Sequence, residues 1–248
     1  MPSEWYAVPT EYDDYATEIY RLIDEIERDY LYLADYRASV GKYLKELADD
    51  RKEYTKEYHN PFAREYGLDY FFPLTLSYAL IVSIFLTLES QFRVLTNIIY
   101  DKSTVSDGFH EYLRKTYKCG NFEKYLHYYT DQTRVSYADL RYWQQINKLS
   151  MLRDCIVHVS GYIADSRKRS EIERMVRSRD YLVTEDRSQP KARYQSDNYL
   201  EQGEIDIDEF EERLLIGGSY CKTACKYCEG FVLDAITRAG VVFWARPY

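Results

Sequence analysis

Apolar positions recur at helical spacing over long stretches of this chain, with few interruptions. Between residues 11 and 58, Tyr12, Tyr15, Ile19, Leu22, Ile23, Ile26, Tyr30 and Leu33 share one stripe, with acids on the other face. That pattern predicts one long amphipathic helix or a helical hairpin. Gly41 marks a bend, and Asn60-Pro61 ends the element, because proline lacks an N–H and clashes with the preceding turn. Residues 73–101 predict a second helix. Its first part, Tyr70 to Leu88, is free of charge and long enough to be weighed as a membrane span. The apolar pattern runs on past Glu89 through Phe92, Val94, Leu95, Ile98 and Ile99, so a central bundle helix fits better and no membrane is expected.

Beyond it, residues 102–135 are polar and aromatic, with short helical pieces such as Ser106 to Lys118. Tyr137 to Tyr162 predicts a third long helix. Residues 163–205 break the pattern. Tyr181-Leu182-Val183-Thr184 and Gly203-Glu204-Ile205-Asp206-Ile207 predict short strands, a hairpin around a polar loop. Asp208 is the expected N-cap of a last helix over 209–238, interrupted or kinked near Gly217-Gly218. Only 10 glycines and 6 prolines occur in 248 residues, which agrees with long uninterrupted helices. The fold class predicted is all-α: a helical bundle with a long N-terminal helix or hairpin and a small irregular or β-hairpin insert at 163–207. Residues 1–69 are set apart as an acidic helical extension, and 70–248 as the main helical domain.

Charge alters this picture in two places. The net charge is −8, which gives no general basic character to draw in nucleic acid. Residues 1–69 carry 17 acidic and 9 basic side chains and so hold the whole of it. Residues 166–179 run the other way, with Arg167, Lys168, Arg169, Arg174, Arg177 and Arg179 against Glu171 and Glu173. Their opposite signs suggest that the N-terminal segment masks the basic cluster. Five cysteines, an odd number, and an N-terminus without a basic flank and apolar run predict a reducing cytoplasm.

Two patterns carry candidate chemistry. Cys221-x3-Cys225-x2-Cys228 has the spacing of the iron–sulfur signature of radical enzymes. On a helix these positions form a single face, which small buried cysteines explain without a cluster or zinc. No metal or other cofactor is expected. The second pattern is Ser150-Met151-Leu152-Arg153-Asp154-Cys155-Ile156-Val157-His158-Val159-Ser160-Gly161. Burying ionisable groups is expensive unless they are paired, and this otherwise oily stretch holds three within six residues. Asp154 and His158 form an i, i+4 pair, Arg153 lies at the edge of the same stripe, and Ser150 and Gly161 extend it.

Leu152-Arg153-Asp154-x3-His158-x2-Gly161 resembles the Arg-polar-x3-His motif of the HEPN superfamily (higher eukaryotes and prokaryotes nucleotide-binding domains). The upstream Leu88-Glu89-Ser90-Gln91-Phe92, the polar insert after the motif and the closing helix are similar to that family's bundle over roughly residues 70–238. The resemblance implies a homodimer with two motifs facing one cleft. It also implies a metal-independent endoribonuclease of a toxin or antiviral defence system, with an antitoxin or defence complex as a further partner. By position, Arg153 would stabilise charge on the scissile phosphate, His158 would move the proton, and Asp154 would orient the site. Glu89, Ser150 and Ser160 are supporting candidates, and Arg167, Lys168, Arg169, Arg174 and Arg177 would steer RNA. Products would carry a 2′,3′-cyclic phosphate, since attack comes from the 2′-hydroxyl that DNA lacks. Some toxins of this superfamily carry a modified tyrosine two positions after the histidine; here Ser160 stands there. The rival expectation is a HEPN-like dimer that binds RNA, a nucleotide or a protein without cutting.

Overall fold

A computed structural model describes residues 10–55, 71–100, 108–187, 204–208 and 210–240, with side chains of the first helix described over 17–47. The long helix expected at the N-terminus is continuous, α1 (Thr10–Thr55). Gly41 does not interrupt it, and its missing Cβ leaves room for the Arg37 guanidinium, whose Nη1 would lie 2.6 Å from a side chain there. Tyr12, Tyr15 and Asn60-Pro61 lie outside the described residues or side chains.

Helix α2 (Phe72–Ile99) is the centre of the bundle. It packs against α1, α4 (Asn121–Thr133), α5 (Trp143–Val159) and α8 (Gly218–Arg238). Leu80, Ile81, Ile84, Phe85, Leu88, Phe92 and Leu95 on it are buried. It is long and apolar enough to cross a membrane, yet these side chains face other helices. Short α3 (Phe109–Thr116) precedes α4, and a 3₁₀ turn (Tyr137–Asp139) precedes α5. The third long helix therefore begins later than its periodicity predicts. Tyr142 takes a left-handed conformation at φ 64° and starts the chain afresh.

The N-terminal segment is no appendage. Ile19, Leu22, Ile26 and Tyr30 of α1 are buried in the same core as α2 and α8. Burying the first three alone is worth roughly 5–9 kcal/mol in total, comparable with the whole net stability of a typical domain, about 5–15 kcal/mol. A division at residue 69 thus cuts through one core. Deleting residues 1–69 is expected to unfold the chain, read as loss of a cooperative thermal transition by circular dichroism. A deletion variant that melts cooperatively would mean the α1 contacts are dispensable.

After α5 come a 3₁₀ turn (Ile163–Asp165), α6 (Arg169–Ser178) and short α7 (Thr184–Arg187). An antiparallel hairpin follows, β1 (Ile205–Ile207) with β2 (Leu214–Ile216), pairing Ile205 with Ile216 and Ile207 with Leu214. The hairpin exists, but with a different partner strand from the one expected. Tyr181-Leu182-Val183 is a turn leading into α7, because Tyr181 is buried and its hydroxyl both donates to Glu204 Oε2 (3.2 Å) and accepts from Ile205 N–H (3.2 Å). Gly203 and the polar loop before it lie outside the described residues.

The irregular insert consequently runs to Ile216 rather than 207, and the last helix starts at Gly218. Asp208 caps no helix: its Oδ1 accepts from Phe210 N–H (2.8 Å) and Glu211 N–H (3.0 Å), closing the hairpin tip. Gly218 carries no side chain where one would meet Arg37 Nη2 at 2.1 Å. Cys221, Cys225 and Cys228 all lie buried on α8, on the face turned to the core. Burial pushes the Cys221 thiol up to about 11 and the Cys225 thiol up to about 12, so both stay protonated near neutrality. Among the described residues, no three His, Cys, Asp or Glu side chains stand together as a metal site.

Candidate active site around His158

The motif helix is α5. Its inner face buries Ile146, Leu149, Leu152, Cys155 and Ile156, which leaves Ser150, Asp154 and His158 as a stripe from half-buried to exposed. The helix ends where Ser160 (φ 54°) and Gly161 (φ 81°) turn left-handed and Gly161 N–H donates to Cys155 C=O (3.1 Å). This reversal is a helix C-terminus closed by glycine. It is fixed from outside as well: Tyr78 Oη, donating to Leu214 C=O at 2.7 Å, would lie 2.0 Å from a Cβ on Gly161.

The reversal brings the following turn back beside the helix. Together they line a cavity of about 530 Å³, with Met151, Cys155 and Val159 as apolar lining and Asp154, His158, Asp165, Ser166, Arg167 and Lys168 as polar lining. Two predicted motif residues and two of the predicted basic residues therefore meet in one pocket. Cys155 is no competing nucleophile, because burial pushes its thiol up to about 11, against a smaller lowering by Ser166.

Arg153 sits differently. Its guanidinium lies over the Phe85 ring, 4.5 Å from the centroid, and Nη1 forms an ion pair with Asp154 Oδ1 at 2.8 Å. Nε is buried without a partner. The side chain is three-quarters buried and is not among the residues lining the pocket; it reaches the pocket through Asp154. Asp154 thus holds an arginine on one side and faces the pocket on the other.

Glu89 does not hold that arginine. It is half-buried one turn beyond Phe85 and acts electrostatically on Tyr125, while the carboxylate on Arg153 belongs to Asp154. Neither Ser150 nor Ser160 lines the pocket; Ser160 is the residue at which α5 ends.

The basic cluster divides. Arg169 is held by Glu173 (2.9 Å) and Glu212 (2.8 Å). Arg179 pairs with Glu204 and donates to Arg187 C=O (2.8 Å). Arg167, Lys168, Arg174 and Arg177 are exposed and have no ion pair among the described residues. The carboxylates that meet the cluster come from α6 and the hairpin, so no described ion pair supports masking by the acidic N-terminal segment.

Sequence reasoning missed Phe85, Tyr78, Asp165 and Ser166. The signal for the last two was Gly161 itself, since a chain reversal there returns the next few residues to the helix end.

No protein-family model, curated protein or solved structure matches the chain.

Proposed function

We propose that the protein is a HEPN-type endoribonuclease that cuts RNA by attack of the 2′-hydroxyl on the adjacent phosphate. The observation that supports this reading best is the pocket itself: His158 opens onto the same space as Asp154, Arg167 and Lys168. Histidine suits proton transfer near neutrality, and the two exposed cations suit a phosphodiester backbone. Arg153 presents a planar fork suited to phosphate. In this reading it adds positive charge beside the pocket from behind Asp154, while Phe85 and Asp154 hold the guanidinium in place.

One histidine per pocket carries one proton, whereas transesterification needs a base at the 2′-oxygen and an acid at the leaving 5′-oxygen. A homodimer that sets two pockets in one cleft supplies the second, and we include it in the proposal. A toxin or antiviral defence setting, with an antitoxin or larger complex as partner, belongs to the same reading.

A second reading has its own support. Arg153 leans on Phe85 and Asp154 rather than lining the pocket, which suits a HEPN-like dimer that binds RNA, a nucleotide or a protein without cutting it. Cleavage assays separate the two. Purified protein is expected to cut single-stranded RNA in the presence of EDTA, and Arg153→Ala and His158→Ala are each expected to abolish cutting. Binding without cleavage by the wild type would select the second reading, and cutting that survives both substitutions would remove the first.

A further inference from the structure

The pocket at the end of α5 holds charges of both signs that do not neutralise one another. Asp165 has no ion pair or side-chain hydrogen bond among the described residues, although Arg167 and Lys168, unpaired likewise, stand two and three positions further on. Backbone groups hold the turn that carries all three. Ile163 N–H donates to Glu212 C=O (2.9 Å), Ser166 N–H to Ile163 C=O (3.1 Å) and Arg169 N–H to Ser166 C=O (3.2 Å), while Lys168 N–H donates to Ser166 Oγ (3.2 Å). The pocket's other aspartate on α5, Asp154, has Arg153 as its cation. On α5, Met151, Cys155 and Val159 recur at helical spacing beside Asp154 and His158 and give the site an apolar strip. At about 530 Å³ the space is of the size that small-molecule sites have, roughly 300–1,000 Å³.

An unpaired carboxylate repels a phosphodiester backbone. In a site for RNA it therefore contributes only by accepting hydrogen bonds, and an ionised carboxylate has two oxygens that accept and none that donates. Guanine is the one RNA base whose Watson–Crick edge sets two donors side by side, N1–H and N2–H, in the geometry that two carboxylate oxygens accept. Adenine and cytosine place an acceptor nitrogen beside their amino group, and uracil flanks N3–H with two carbonyls. Each of those three turns a lone pair on the second carboxylate oxygen.

We propose that Asp165 makes this pocket select guanine in single-stranded RNA, an inference that rests on the reading of the pocket as an RNA site. The guanine edge donates to the two Asp165 oxygens, a face of the ring lies on Met151 and Val159, and the adjoining phosphate meets Arg167 and Lys168. Single-stranded RNA offers that edge, since its bases can be splayed out and read on their Watson–Crick side. A free guanine nucleotide offers the same edge.

Calorimetric titration of the full chain with the 3′-monophosphates of guanosine, inosine, adenosine, cytidine and uridine tests this without any cleavage step. Guanosine is expected to bind at least about tenfold tighter than adenosine, cytidine or uridine, the usual worth of a hydrogen bond to a charged group. Inosine, which keeps N1–H and lacks the amino group, should fall between. Asp165 is exposed, so Asp165→Asn leaves the fold intact; it is expected to remove the preference for guanosine and to weaken no other nucleotide. Arg167→Ala should weaken all five by a similar factor. A short RNA with one guanosine, 2′-O-methylated there so that it cannot be cut, is expected to bind tighter than guanosine 3′-monophosphate; equal or weaker binding would overturn RNA as the source. Equal affinities across the bases, an inosine affinity equal to that of guanosine, no binding, or a preference that survives Asp165→Asn would overturn guanine selection. The ribonuclease reading stands or falls separately, on whether RNA is cut in EDTA.

Discussion

Gly161→Ala is expected to lose about 2–5 kcal/mol of folding stability, a large part of a typical domain's margin. Two costs add. Gly161 sits at φ 81°, where an L side chain costs roughly 1–2 kcal/mol. A Cβ there would also lie 2.0 Å from Tyr78 Oη and 2.4 Å from its Cζ, and such overpacking typically costs about 1–3 kcal/mol. Tyr78 cannot retreat freely, since its hydroxyl is tied to Leu214 C=O. The neighbouring Ser160 provides the control: its φ of 54° is also left-handed and its side chain is exposed. Ser160→Gly should be neutral or stabilising by up to about 1 kcal/mol. Denaturant titration of the two variants checks the pair. Equal stabilities would mean that the reversal after α5 is not held by Tyr78.

Removing the imidazole at 158 and the guanidinium at 153 should have separable consequences. His158 is exposed, so His158→Ala should change stability by no more than about 0.5 kcal/mol. Under the proposed mechanism, cleavage nevertheless falls by about 10²–10⁴, the usual worth of a positioned proton carrier. Arg153→Ala should lose activity and stability together. It deletes the cation–π contact with Phe85, worth roughly 0.5–2 kcal/mol, and strips Asp154 of its partner. Arg153→Lys keeps the charge but not the planar fork, and is expected to recover part of the stability and little of the cleavage. A thermal melt and an RNA cleavage rate on each variant give the comparison. A fully active Arg153→Lys would show that charge alone suffices there.

The helical elements were legible because their signal is local. The stripe from Ile19 to Leu33 and the run from Leu80 to Leu95 declare a helix without reference to the rest of the chain. What lay beyond local signal was the identity of packing partners. The acidity of α1 made it look like an outlying segment, since its acids outnumber the few large apolar residues that join it to α2 and α8. Leu214-Leu215-Ile216 reads as the start of a helix, because three consecutive apolar residues fit either secondary structure. The burial of all three against the bundle makes it a strand.

The same limit governed the site. The i, i+4 relation of Asp154 and His158 and the closeness of the basic cluster could be read directly. The partner of Arg153 could not, because Phe85 lies 68 residues away in sequence on α2. Which cations of the cluster remain available for RNA also depends on long-range pairing. Glu212 and Glu204 engage Arg169 and Arg179 from the hairpin, leaving Arg167 and Lys168 at the pocket.

The ends of the cleavage products test the proposed ribonuclease most directly. Single-stranded RNA is incubated with the protein in EDTA, and the fragments are analysed by mass spectrometry beside a DNA of the same sequence. Attack by the 2′-hydroxyl predicts fragments ending in a 2′,3′-cyclic phosphate, intact DNA, and no such fragments with His158→Ala. Uncut RNA, fragments ending in a 3′-hydroxyl, or cleavage of the DNA would contradict it.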